Sequence, residues 1–199
     1  MHGLTWKILN FSRKYCHAAI FLLYYFYIAF WEVMMRILVL SDSHAGMHFM
    51  RTLLRTVKPQ AVIHLGDYYE DGQTLAEENP QIFFHLLPGN CDRYRCPPFA
   101  KAVLCYDVGG VRLFMAHGHQ HFVKSGTGAL IRDARDSGAA AALYGHTHIA
   151  DCRLLEDGLW VLNPGSCGSS GGSAGLIDTE NGKITGCRII RQEDLEEIV

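Results

Sequence analysis

Apolar residues gather along this chain in two ways, as short unbroken runs and at helical spacing. Residues 36–40 (RILVL), 61–65 (AVIHL) and 81–87 (QIFFHLL) are such runs, ending respectively at Ser-Asp, Gly-Asp and Pro-Gly-Asn. Short runs rich in branched side chains and bounded by turn residues read as strands, the first of them buried. Residues 47–57 (MHFMRTLLRTV) carry apolar positions at helical spacing and stop before Lys58-Pro59, which predicts a helix. Residues 74–79 read as the end of a second helix before Pro80. The order β-α-β-α-β favours a parallel sheet with right-handed crossovers.

The second half has a different rhythm. Residues 101–107 and 111–116 flank Val108-Gly109-Gly110 and predict a hairpin. Residues 129–137 read as a helix ending at Gly138, and 139–144 as a strand. Two further hairpins are predicted, 152–156 with 159–162 around Asp157-Gly158 and 174–178 with 183–190 around Asn181-Gly182. Parallel βαβ units followed by hairpins imply an α/β chain of two packed sheets with helices outside. No internal repeat is present, and the Gly- and Ser-rich stretch 165–175 reads as a loop.

Composition narrows the function classes. The 199 residues are 49% apolar and 19% charged, enough for one domain with a real core and unlike a disordered chain. A net charge of -2 lacks the basic footprint of non-specific nucleic-acid binding, so no stable nucleic-acid partner is expected. The seven cysteines include no C-x-x-C pair and read as free thiols in a reducing compartment. A cytoplasmic location follows.

Residues 15–31 (YCHAAIFLLYYFYIAFW) complicate that location. This run reaches only the lower length limit of a membrane-spanning helix. Its basic flank (Lys7, Arg13, Lys14) would put the downstream part outside the cytoplasm, against the thiol reading, and no small-x-small cleavage site follows. The chain is therefore expected to divide into an N-terminal extension, 1–34, and a domain, 35–199. The first expectation is that Met34 or Met35 is the true start. A membrane anchor and an additional helix are the alternatives, and membrane association is expected only if 15–31 is retained.

Five polar clusters follow the strands: Asp42-Ser43-His44, Gly66-Asp67, Gly89-Asn90-Cys91-Asp92, His117-Gly118-His119 and Gly145-His146-Thr147-His148. Ligand sites collect at the carboxyl ends of strands in open α/β folds, so the sheet can gather these clusters at one edge. Seven candidate metal ligands emerge: Asp42, His44, Asp67, Asn90, His117, His146 and His148. Imidazole, carboxylate and amide oxygen without thiolate suit hard or borderline divalent ions. Seven groups exceed one tetrahedral ion and suit two ions sharing a carboxylate. With Asp42, Asp67 and a hydroxide, two such ions keep a charge of about plus one, which attracts a phosphate ester.

In this order the motifs D-x-H, G-D, G-N-x-D, H-G-H and G-H-T-H resemble those of the calcineurin-like metallophosphoesterases, within them the small single-domain phosphodiesterases of bacteria and archaea. The resemblance covers about residues 35–190 and extends to Asn163-Pro164-Gly165-Ser166. It implies a β-sandwich of two mixed sheets flanked by helices. It also implies one ion on Asp42, His44 and His148, another on Asn90, His117 and His146, and Asp67 bridging. Manganese is the expected metal, with Zn²⁺, Fe²⁺ or Ni²⁺ as alternatives. The implied reaction is hydrolysis of a small phosphate ester, a diester before a monoester, by a hydroxide bridging the ions. Asn90, Asp92 and His119 are the candidate catalytic residues, Asp92 as an orienting group. His119 is the candidate acid, with water as the default donor, because Cys91 stands where many members have histidine. Arg93 and Arg95 could hold a substrate phosphate or simply face solvent. His64 and His85 are expected to be packed within strands. The alternative is a non-catalytic scaffold, the use to which a relative in the retromer coat puts this fold.

Overall fold

The computed structural model describes residues 34–168 and 171–196. The segment 15–31, the expectations attached to it and Cys16 lie outside the described residues, as do two positions of the 165–175 loop. Among the described residues no helix is long and apolar enough to cross a membrane.

The three apolar runs are strands β1 (Met35–Leu40), β2 (Ala61–His64) and β3 (Phe83–Leu86), linked by helices α1 (Met47–Val57) and α2 (Tyr69–Glu78). They pair in parallel in the order β1-β2-β3. Helix α2 starts earlier than its apolar spacing suggests, because Gly72 breaks the pattern. That glycine is where the helix rides closest to the sheet: an added Cβ would lie 2.9 Å from Leu86 and 3.3 Å from His64. Strand β9 (Ser173–Glu180) joins β1 antiparallel and β10 (Lys183–Arg191) joins β9, so the first sheet is mixed, in the order β10-β9-β1-β2-β3.

The second sheet contains β4 (Val103–Val108), β5 (Val111–Ala116), β6 (Ala141–Leu143), β7 (Asp151–Leu154) and β8 (Trp160–Asn163). Its order is β4-β5-β6-β8-β7. Two of the three expected hairpins, β4–β5 and β7–β8, lie here and are antiparallel, while β5, β6 and β8 run parallel. Helix α3 (Gly128–Asp136) joins β5 to β6, and α4 (Gln192–Glu196) follows β10.

The period of two along each strand builds the layers. Ile37 and Val39 of β1 enter a core between the sheets with Ile63, Leu113, Met115, Leu143 and Ile177. Leu38 and Leu40 face the other way, onto Met50, Leu53 and Leu54 of α1. Phe114 and Val161 of the second sheet meet Leu130 and Ala134 of α3. Burial on both faces is why the central strands read as unbroken apolar runs. Each sheet thus has helices on its outer face, and the expected two-sheet α/β sandwich is the fold observed.

Candidate metal centre

Five of the six parallel strands end in one of the polar clusters, and backbone hydrogen bonds tie the resulting loops together. The Asp42 N–H donates to Gly66 O at 2.9 Å and the Gly145 N–H to His117 O at 3.0 Å. The His146 N–H crosses between the sheets to Asp42 Oδ2 at 3.0 Å, and the Ser166 hydroxyl donates to Asp42 O at 2.8 Å. A side chain on Gly145 would collide with Ser41 Oγ, so glycine there lets two loops from different sheets touch.

The backbone at this edge is strained in a selective way. Asp42 (φ 54°), His44 (42°), Asp67 (57°), His146 (68°) and His148 (60°) all adopt the left-handed region, which costs a residue with a side chain on the order of 1–3 kcal/mol. Five of the seven candidate ligands are therefore held in unfavourable conformations. Such strain persists only where the surrounding structure compensates for it.

Two groups of ligating atoms converge there: Asp42 with His44 and His148, and Asp42 with Asp67 and His117. In the first, His148 Nε2 lies 3.1 Å from Asp42 Oδ1 and 3.5 Å from His44 Nε2. In the second, His117 Nε2 lies 3.1 Å from Asn90 Oδ1, 3.5 Å from Asp67 Oδ1 and 4.0 Å from Asp42 Oδ1. His146 packs its ring 5.1 Å from that of His117. All seven candidate ligands thus meet at one end of the sandwich. His119 stands beside them, 5.5 Å from the His117 ring and 6.2 Å from that of His146.

Hydrogen bonding shows what these atoms are prepared to accept. Asp42 is fully buried, and its Oδ2 takes the Ser41 hydroxyl at 2.6 Å as well as the His146 N–H. Its Oδ1 is buried with no hydrogen-bond partner, a costly state for a carboxylate unless a cation faces it. His117 Nδ1 lies 3.0 Å from Leu65 O, an oxygen that can only accept. In the neutral ring Nδ1 therefore carries the proton, and Nε2 turns a lone pair toward two oxygens that are also acceptors. Acceptors crowded this way suit a divalent cation, and the donor set fits the expected ions.

The electrostatics agree. Burial works to raise the Asp67 pKa, yet the Cys91 amide, His117 and His44 together hold that carboxyl below its usual range. Asp42 is the residue common to the two groups of ligating atoms. Burial, then His117 and Lys124, lowers the His146 pKa; burial and His117 lower that of His119. Neutral imidazole is the form that binds metal. Burial raises the Cys91 thiol to about 11, so it stays protonated.

Other residues serve underneath. Asp92 is fully buried, and its carboxylate accepts the N–H groups of Tyr68, Tyr69 and Gly89 at 2.8–2.9 Å. It binds the Gly-Asp and Gly-Asn-Cys-Asp loops to each other. His85, as expected, is packed within its strand, 2.6 Å from the Tyr106 hydroxyl. His64 is also packed, but with a function the sequence did not signal. Its Nδ1 accepts the Gly66 N–H, its Nε2 faces Ser43 Oγ at 3.3 Å, and that hydroxyl donates to Asp71 at 2.7 Å. Asp71 also accepts the Ala45 N–H. This chain fixes the Asp42 and Asp67 loops from below; its only sequence signal was a serine between two candidate ligands.

Comparison with known proteins agrees with this geometry. The calcineurin-like phosphoesterase superfamily domain matches residues 35–182. The probable metallophosphoesterase YsnB of Bacillus subtilis is 30% identical over 138 residues, 66% of this chain and 75% of its own. A conserved uncharacterised protein of Streptococcus pneumoniae, described as a predicted phosphoesterase, superposes with a TM-score of 0.61 at 21% identity, over 80% of this chain and 99% of its own. Zinc-bound Vps29 from Entamoeba histolytica superposes with a TM-score of 0.58 at 19% identity, over 79% and 98%. The chain belongs to the calcineurin-like phosphoesterase superfamily.

Proposed function

We propose that domain 35–199 is a two-metal phosphodiesterase acting on a small phosphate ester. Asp42, His44 and His148 hold one divalent ion, Asn90, His117 and His146 hold a second, and Asp67 lies between them. The observation that carries this reading is the gathering of carboxylate, amide and imidazole ligand atoms around Asp42 Oδ1 and His117 Nε2, on a backbone strained at five of the seven positions. Two divalent ions held by these residues, Mn²⁺ by preference, would supply water activation and neutralise charge on the phosphate oxygens.

The chain's own residues define the rest of the reaction. Leu65 O holds the His117 proton on Nδ1 and keeps Nε2 free; Ser41 and the His146 amide occupy Asp42 Oδ2 and leave Oδ1 for the cation. Asp92 keeps the loops of Asp67 and Asn90 in register. Hydrolysis adds water across the P–O bond and releases an alcohol and a monoester. The alcohol takes its proton from His119 or from water, and an unchanged pH–rate profile in His119→Ala would leave water as the donor. Free thiols at six cysteines support a cytoplasmic setting.

The test is hydrolysis of bis-p-nitrophenyl phosphate by metal-stripped protein, with Mn²⁺, Zn²⁺, Ni²⁺ or Mg²⁺ restored singly. Metal-dependent turnover is expected, with a loss of about 100-fold or more in Asp67→Asn and in His117→Ala. The likeness to Vps29 favours a second reading, a protein-interaction scaffold. Folded protein that binds metal and hydrolyses nothing would turn the proposal to that reading.

A further inference from the structure

The rim of the metal centre carries two arginines that the hydrolytic reading leaves without a task. Arg36, Arg51, Arg135, Arg153 and Arg188 each pair with a carboxylate. Arg93 and Arg95, both exposed, form no ion pair among the described residues. Each instead lies against an aromatic ring, Arg95 at 5.0 Å from the Tyr68 centroid and Arg93 at 5.5 Å from that of Tyr94.

Tyr68 connects this rim to the metal centre. Its ring meets that of His44 edge to face at 5.1 Å. Its backbone is left-handed, φ 70°, an outlier for a bulky side chain that calls for a functional explanation. Asp92 maintains it there: the carboxylate accepts the Tyr68 N–H at 2.8 Å, while the Asp92 carbonyl accepts the Arg95 N–H at 2.8 Å. One buried residue therefore sets both Tyr68 and Arg95. A guanidinium stacked on a fixed ring loses little freedom when it binds an anion, and its planar fork suits a phosphate.

We propose that Arg95, supported on Tyr68, binds a second phosphate of the substrate, so that the substrate is a phosphodiester carrying a further phosphate on its alcohol part. This rests on the two-metal reading above. The scissile group would meet the ions within the ligand shell, whereas the Arg95 guanidinium stacks on Tyr68, a ring that packs on His44. It makes no described hydrogen bond or ion pair with a candidate ligand, which favours a group other than the scissile one as its target. Nucleotides and phosphorylated polyols share the required chemistry.

The experiment is calorimetric titration of the Mn²⁺-loaded protein with thymidine 5′-phosphate and thymidine 3′,5′-bisphosphate, repeated in Arg95→Ala, Arg95→Lys and Arg93→Ala. The bisphosphate should bind about tenfold tighter than the monophosphate, as a charge-assisted contact allows. That ratio should fall to near one in Arg95→Ala and recover partly in Arg95→Lys. Titration with inositol 1,4-bisphosphate separates the sources: the same Arg95-dependent gain marks recognition of phosphate alone, and a gain confined to thymidine marks a nucleotide. Equal binding of the two thymidine ligands by the unaltered protein, or a preference that survives in Arg95→Ala, overturns the proposal. Turnover of bis-p-nitrophenyl phosphate in the same preparation tests the hydrolase reading separately, because the ratio is read from binding.

Discussion

His64 titrates far from its ordinary range. Burial pushes its imidazole down to about 4, outweighing the carboxylates around it. In the unfolded chain a histidine titrates near 6.5. Between these values the unfolded state binds the proton and the folded state does not, so stability rises with pH across that interval and is lost as pH falls through it. For metal-stripped protein the loss between pH 6.5 and 4 is on the order of 3 kcal/mol from this residue. His64→Gln removes the titration but keeps a polar group near Ser43. Denaturant unfolding at several pH values should therefore show a shallower acid limb in the variant. Parallel limbs in the two proteins would mean that His64 is protonated in the fold and the Ser43–Asp71 chain is arranged differently.

At the scale of the element, the site depends on loops held by backbone acceptors more than on the strands that deliver them. Asp92→Ala strips the acceptor from three N–H groups, two of them buried, and is expected to cost about 2–4 kcal/mol. Because the lost bonds join the loops of Asp67 and Asn90, Mn²⁺ affinity should fall together with the melting temperature. A lower melting temperature with unchanged affinity would confine Asp92 to stability. This division explains what could be read from the chain. The central strands and α1 were legible because burial on both faces and helical spacing leave periodic marks. The seven candidate ligands were legible because each stands just after a strand, most beside a glycine. Tyr68, His64 and Asp71 were not legible as a group. Their roles depend on a left-handed turn and on contacts between β2, α2 and the Asp42 loop, and neither has a signature in spacing. Gly72 hid the first turns of α2 for a related reason, since its value lies in close approach to Leu86 and His64.

The whole molecule is two sheets pressed face to face, and their edge strands β10 and β7 meet at one cysteine pair. Cys187 on β10 and Cys152 on β7 place their sulfurs 3.4 Å apart as free thiols. The two thiols share a hydrogen bond, and whichever sulfur deprotonates supplies the thiolate that an oxidant meets first. Hydrogen peroxide would take two electrons from the pair, joining the sulfurs and leaving two waters. Of all the described contacts, this one would become a covalent link between the sheets. Closing a loop between residues 35 positions apart is worth about 3–4 kcal/mol in chain entropy. For a domain of this size that corresponds to a rise of roughly 10 °C in melting temperature. Peroxide-treated protein should melt higher, return to its starting value with dithiothreitol, and show no shift in Cys152→Ser or Cys187→Ser. Because the link lies on the edge strands, away from the polar clusters, metal binding should be the same in both redox states. A rise that persists in either serine variant would assign the effect to other thiols. Two thiols still titratable after peroxide, with no rise, would show that the sheets hold this pair too rigidly to bond.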